Sequence, residues 1–508
     1  MEQIFTEKAM REAEAFTMEQ LGISDLVLME RAALAVAEEA EKLLEQPQRD
    51  PVLVVCGTGN NGGDGYAAAR ILSERGIPTV VLSVGYEAAK SRACRVQYQI
   101  CRNCSIPIVH QFEDRPYALI IDALFGIGLS REIRGVYAEV IDKINRSSAK
   151  KVAVDLPSGV CADTGQILGI AVKADVTVTF EKRKVGQLLF PGAECCGTVI
   201  CRSVGIWTED SSRGDSLVFA CHAEDLPKML PKRSANANKG TCGKVLLIAG
   251  SDGMSGAACL CARAAYRSGS GLVRVFTPAS NQAVTAGVVP EALVTAWKTE
   301  NVMQKLEEAL EWASVCGIGP GLGTSREAKE ILRYVLEHWG KPLVLDADAL
   351  NLLAADPELL ALASERNAAA TVVTPHLGEM ARLTGISVAE IQKNPIAVCR
   401  SFAAAHHLIC VQKDARTVIS DGTRTFLNLT GNDGMATGGS GDVLTGILCA
   451  LMGQNTSEDA LSVIAAGVCL HGLAGDEAAR KYSRYSVMAS DLAECISAVL
   501  CKENEKRI

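Results

Sequence analysis

Two kinds of cluster in this 508-residue chain have the composition to do chemistry: glycine-rich turns that offer backbone amides, and aspartates at the ends of apolar runs. The first cluster is GTGNNGGDG, from Gly57 to Gly65. Five glycines in nine residues permit positive φ and close backbone approach to a ligand. Amides at the start of a following helix suit phosphate or another anion, and Asn60, Asn61 and Asp64 add polar oxygens and amides. A tight strand-to-helix turn is the alternative reading. Two acids follow: Asp122 closes YALIID and precedes Phe125-Gly126-Ile127-Gly128, and Asp155 closes KVAVD and precedes Leu156-Pro157-Ser158-Gly159. In open parallel sheets ligands bind beyond the carboxyl ends of the strands, so both acids are expected to face the 57–65 segment.

A second set lies in the C-terminal half. GGSGD (438–442) heads an apolar helix, where consecutive small residues present amides to an anion and the helix dipole adds positive potential. Asp442 in that first turn has the chemistry to orient or deprotonate a hydroxyl attacking a phosphoryl group; an ordinary N-terminal acid is the alternative. KDART (413–417) offers Lys413, Arg416 and a run of amides to phosphates, TPHLGE (374–379) offers His376, and GPGLG (319–323) is a close-approach loop.

These clusters need elements to hold them. Residues 1–45 have helical spacing through Leu26, Met29, Ala33, Ala37 and Ala40. Short apolar runs at 51–57, 79–85, 117–124, 151–159 and 174–180 then alternate with helix-like segments, a βαβ rhythm that predicts a mostly parallel sheet. The rhythm breaks over 206–240, placing a boundary near residue 215, and restarts at 244–251, 314–323, 342–350, 371–379 and 408–422. The expectation is two α/β domains, 1–214 and 215–508.

The net charge of −8 and 5% aromatic content point away from nucleic acid. No signal peptide and no run of about 20 apolar residues is read, so the expected location is cytoplasmic. The 19 cysteines lack a disulfide framework and read as small buried hydrophobes; the lone Cys101–Cys104 pair lacks a second pair for zinc.

NNGGDG, the FG-x-G loop, DLPSGV-x-ADTG (155–165) and TVTF…K-x-G…PG (177–192) together resemble the YjeF N-terminal family of NAD(P)HX epimerases, with a Rossmann-like αβα fold. That resemblance implies potassium held by Asn61, Asp122 and Ser158. It implies hydrate contacts from Asn60, Asn61, Gly62, Gly63 and Asp64, from Gly126, Ile127, Gly128, Leu129, Ser130, Arg131 and Glu132, and from Asp155, the candidate acid/base. Asn238-Lys239-Gly240, GS…SGAA, GPGLG, LDADALN (345–351), TPHLGEMARL and GMATGGSGDVLTG resemble the ribokinase-like NAD(P)HX dehydratases. This second resemblance implies ADP or ATP with Mg²⁺ at Lys413, Asp414, Ala415, Arg416, Thr417 and Gly441, and hydrate contacts at Ala258, Gly323, His376 and Asp442. Phosphorylating the hydrate hydroxyl and eliminating phosphate would restore NADH or NADPH from NADHX or NADPHX. A homo-oligomer, tetramer or higher, is also implied. Two other readings stand beside this one: a small-molecule kinase, and a first half that only binds nucleotide or assembles subunits.

Overall fold

A computed structural model describes residues 1–44, 50–208, 217–366, 369–454 and 459–505. The chain divides into two compact units, residues 3–217 and residues 218–508 together with Met1 and Glu2. The boundary expected near residue 215 falls in 209–216, outside the described residues.

In the first unit, helices Glu7–Glu19 and Asp25–Lys42 precede a fully parallel sheet. Its order is Ile108–Val109, Thr79–Ser83, Val52–Cys56, Leu119–Ala123, Lys150–Val154, Val176–Phe180, Thr198–Arg202. Counted from Val52, that is the doubly wound order 3-2-1-4-5-6-7, whose switch point lies between Val52–Cys56 and Leu119–Ala123. Strands Val52–Cys56, Leu119–Ala123 and Val176–Phe180 are buried along their whole length and mostly apolar, as parallel strands beneath helices are. Helix Asn60–Glu74 starts within the glycine-rich segment, so Asn60 to Gly65 form helical turns and not the loop read from the sequence. None of Gly57, Gly59, Gly62, Gly63 and Gly65 has positive φ; what the backbone requires there is the missing Cβ. A Cβ on Gly57 would lie 2.1 Å from the Leu124 carbonyl oxygen, and one on Gly65 would lie 2.5 Å from the Ala123 Cβ.

The second unit's sheet runs Val218–Cys221, Thr425–Asn428, Val418–Ser420, Ile409–Gln412, Thr371–Val373, Leu343–Leu345, Val315–Ile318, Lys244–Ile248, Leu272–Pro278, Leu293–Trp297. It is parallel except around Val418–Ser420, which is antiparallel to both neighbours; the run 408–422 is therefore a hairpin. Its chain order reverses between Lys244–Ile248 and Val315–Ile318. Helices Ser255–Arg267, Ser440–Gln454, Ala460–Tyr482 and Ala489–Glu505 cover one face and form its largest core. Helix Ala460–Tyr482, of 23 residues, is long and apolar enough by length and composition to cross a membrane, although Asp476, Glu477, Arg480 and Lys481 interrupt it. The apolar window is 72% buried in this unit, as a core helix would be. None of the 19 cysteines is in a disulfide, and 15 are buried, behaving as small hydrophobes.

Candidate functional site

The crevice of the first unit is built at its switch point. Asp122 is one residue from the end of its strand, fully buried, and paired in register with Val55. Its carboxylate accepts hydrogen bonds from the Ser158 amide (2.8 Å), the Ser158 hydroxyl (2.6 Å) and the Leu124 amide (3.2 Å). Burial nevertheless pushes its pKa up to about 6, against the lowering effect of Ser158 and the Leu124 amide. Asn61 comes from the facing helix: a Cβ on Gly126 would lie 3.0 Å from its Oδ1, and its buried Nδ2 has no hydrogen-bond partner. The structure thus gathers Asn61, Asp122, Ser158 and Gly126 from three strand ends. The 126–132 loop is mixed, with Leu129 buried, Gly126 and Ile127 half-buried, and Gly128, Ser130, Arg131 and Glu132 exposed.

Asp155 sits one residue beyond strand Lys150–Val154 with φ of 65°, a conformation uncommon for a residue with a side chain. Its neighbours hold it there: the Asp155 amide donates to the Val178 carbonyl (2.8 Å), and Gln187 Nε2 donates to the Asp155 carbonyl (2.7 Å). The carboxylate receives the Lys184 ammonium at 2.5 Å and the Thr179 hydroxyl at 3.0 Å. Lys184 is 1% exposed. Sequence reading placed Lys184 within a motif without giving it a role, and it missed Thr179 and Gln187. A lysine in EKRKVG gives no sign that it folds inward.

In the second unit, three consecutive sheet strands deliver Asp346, Thr374 and Lys413, each one residue past its strand. Asp346 is 1% exposed; Lys413 Nζ donates to it at 2.7 Å and the Thr445 hydroxyl at 2.7 Å. Burial raises the Asp346 pKa, but the Lys413 charge and hydrogen bonds from Lys413, Thr374 and Thr445 outweigh it and leave the carboxyl below its ordinary range. Lys413 also lies 4.0 Å from Glu379, and a Cβ on Gly441 would stand 3.3 Å from Lys413 Nζ. Asp442 is half-buried in the first turn of helix Ser440–Gln454. Burial, then the Asp346 charge, push it up to about 7, with Lys413 opposing. An acid with that affinity exchanges protons readily at neutral pH.

The remaining residues frame this cluster. His376 caps helix Leu377–Thr384, its Nδ1 accepting from the Gly378 and Glu379 amides, and Nε2 lies 3.5 Å from Glu379. Gly319, Gly321 and Gly323 all have positive φ, and the Gly323 amide donates to Asp348 at 2.8 Å. Asp414 and Ala415 are exposed, Arg416 and Thr417 half-buried. Ala258 is fully buried. Asp346, Glu379 and Thr445 were not singled out from sequence, although LDADALN, TPHLGE and GMATGGSGDVLTG contain them. A detectable signal existed in Asp346, an acid directly after a strand.

Residues 245–498 match the family described as NAD(P)H-hydrate dehydratase, and residues 25–186 match the one described as YjeF-related protein N-terminus. A bifunctional NAD(P)H-hydrate repair enzyme of Thermofilum pendens is 37% identical, covering 91% of this chain and 89% of its own. Its namesake in Escherichia coli K12 is 36% identical, with 97% and 93% covered. Among solved structures, a ribokinase-like superfamily protein of Enterococcus faecalis is 30% identical with a TM-score of 0.51, covering 56% of this chain and 96% of its own.

Proposed function

Since the chain belongs to the bifunctional NAD(P)H-hydrate repair enzymes, we propose that its first unit epimerises the R and S hydrates at the Asp155–Lys184 crevice and that its second dehydrates the S hydrate at Asp442. The observation that carries the reading is that each unit pairs a buried acid with a lysine beyond its strand ends, Asp155 with the buried Lys184 and Asp346 with the half-buried Lys413 beside Asp442.

In the first unit, Asn61, Asp122 and Ser158 are the residues to hold potassium. One carboxylate among neutral oxygens suits a hard monovalent cation, and the orphaned Asn61 amide is free to turn its oxygen inward. A bound cation would supply positive charge beside the hydrate. Residues 60–64 and 126–132 bind and orient the dinucleotide. The Lys184 ammonium fixes the Asp155 carboxylate in place, where it would take a proton at the hydrate.

In the second unit, ADP or ATP would engage 413–417 and the amides around Gly441, and the hydrate would contact Gly323, His376 and the Ala258 segment. Mg²⁺ needs only one or two carboxylates when nucleotide phosphates complete its shell, and Asp346 and Glu379, both within 4.0 Å of Lys413 Nζ, would be the ones to offer them; the ion would neutralise phosphate charge. Asp442 takes the hydroxyl proton as phosphate is transferred, and elimination of phosphate restores the dihydronicotinamide. The assembly we propose is a homo-oligomer, tetramer or higher, in the cytoplasm.

Pure R hydrate followed by proton NMR without nucleotide tests the division of labour. We expect the S hydrate to appear with no dihydronicotinamide; its absence would remove the epimerase reading.

A further inference from the structure

Two carboxylates at the mouth of the first crevice have no proton-transfer role so far, and one of them, Glu14, has no role at all. Glu14 lies on helix Glu7–Glu19 at one edge of the stripe Met10, Ala13 and Thr17, all buried, and is itself half-buried. Asp64 lies in the second turn of the facing helix, also half-buried. Among the described residues neither carboxylate has an ion-pair or hydrogen-bond partner. An acid kept on the inner side of an amphipathic helix without a partner is costly to fold and calls for a reason.

The helix is pinned over the site. Phe5, 1% exposed, donates its amide to the Arg183 carbonyl (2.9 Å) and accepts from the Val185 amide (3.1 Å), bracketing Lys184. At the other edge, a Cβ on Gly128 would meet Arg11 Nη2 at 2.6 Å, so the same helix borders the 126–132 loop. Glu14 lies one turn from Arg11 on the same helix, on the side that borders the 126–132 loop, where it is within electrostatic reach of Asp155 and Lys184, and its own charge reaches Asp64.

Epimerisation needs proton handling twice. Water adds to an enamine at the carbon beside nitrogen, so the hydrate hydroxyl sits next to the ring nitrogen. To invert that carbon the C–O bond breaks, its electron pair leaves with oxygen, and the nitrogen lone pair forms a C=N bond. Water then adds to the opposite face and loses a proton, and the C=N pair returns to nitrogen. The departing hydroxyl takes up one proton and the incoming water releases one, on different faces of the ring. Asp155, paired with the Lys184 ammonium, suits the second event and leaves the first without a donor.

We propose that Glu14 is the general acid of the epimerase crevice, protonating the departing hydroxyl. This deepens the epimerase reading and rests on it. Burial, and then Asp155, raise the Glu14 affinity for its proton, with Lys184 and Arg11 opposing, as a donor requires. The net reaction moves one proton from Glu14 to Asp155, and solvent returns it.

The test uses the full-length chain with pure R hydrate and potassium, subtracting the uncatalysed rate. Glu14→Gln should lower kcat by about 10²–10⁴-fold with KM within threefold, remove the alkaline limb of the pH–rate profile, and leave S-hydrate dehydration and melting temperature no lower than wild type. Glu14→Asp should restore kcat to within about tenfold, with the alkaline limb displaced. Glu14→Gln within threefold of wild type, while Asp155→Ala is inactive, would overturn the role of Glu14 alone. Full R-hydrate turnover in both variants would overturn the epimerase reading itself. An unchanged alkaline limb in Glu14→Asp overturns the proposal even where Glu14→Gln folds poorly.

Discussion

Asp442 and Lys184 are the side chains whose replacement separates chemistry from architecture most cleanly. Asp442 must be ionised to take a proton, and its affinity is raised to about 7, so base form is lost as pH falls through that value. We expect dehydratase kcat/KM to drop about tenfold per unit below pH 7, and Asp442→Asn to abolish the activity at every pH. The same group stabilises the fold less as pH rises, because burial disfavours its charged form; Asp442→Asn should therefore raise the melting temperature at pH 8 relative to pH 5, with a gain on the order of 2 kcal/mol. Lys184→Met leaves Asp155 buried without its cation. That removal should cost ~3 kcal/mol in a denaturant titration and depress R-hydrate turnover far more than S-hydrate dehydration.

At the level of elements, the sites depend on how closely helices approach the strands beneath them. Helix Ser440–Gln454 packs on Ser255–Arg267 through Gly446, where a Cβ would lie 2.2 Å from the Cys261 carbonyl oxygen. Gly446→Ala should push the helix outward, moving Gly441 and Asp442 from Lys413; a loss of at least 10²-fold in dehydratase kcat with epimerase activity unchanged is the expected reading. This element scale also explains what was legible in the sequence. Asp122 and Asp155 could be placed because apolar runs of strand length end on them, and a parallel sheet puts such ends on one edge. The glycines of 57–65 were visible but their purpose was misread, since a missing Cβ and a positive φ call for the same residue. Lys184 and Glu14 were not legible, because a turn and an amphipathic helix show charge in the sequence without showing which way it points. Likewise, Ala347 with φ of 50° beside Asp346 gives no warning in LDADALN, although strand-end acids in both units are set by such a residue.

Over the whole molecule, two α/β units with different strand orders carry two sites whose residues do not overlap. The wider claim is that both act on the same damaged dinucleotide, one correcting its configuration and the other removing its water. Mixed R and S hydrates offered with adenine nucleotide, Mg²⁺ and potassium, and followed at the dihydronicotinamide absorbance band, test this most directly. The account predicts complete recovery by the wild-type chain, recovery of only the S fraction at unaltered rate by Asp155→Ala, and none by Asp442→Ala. Recovery of both fractions at the wild-type rate by Asp155→Ala, or any sustained recovery by Asp442→Ala, would contradict it.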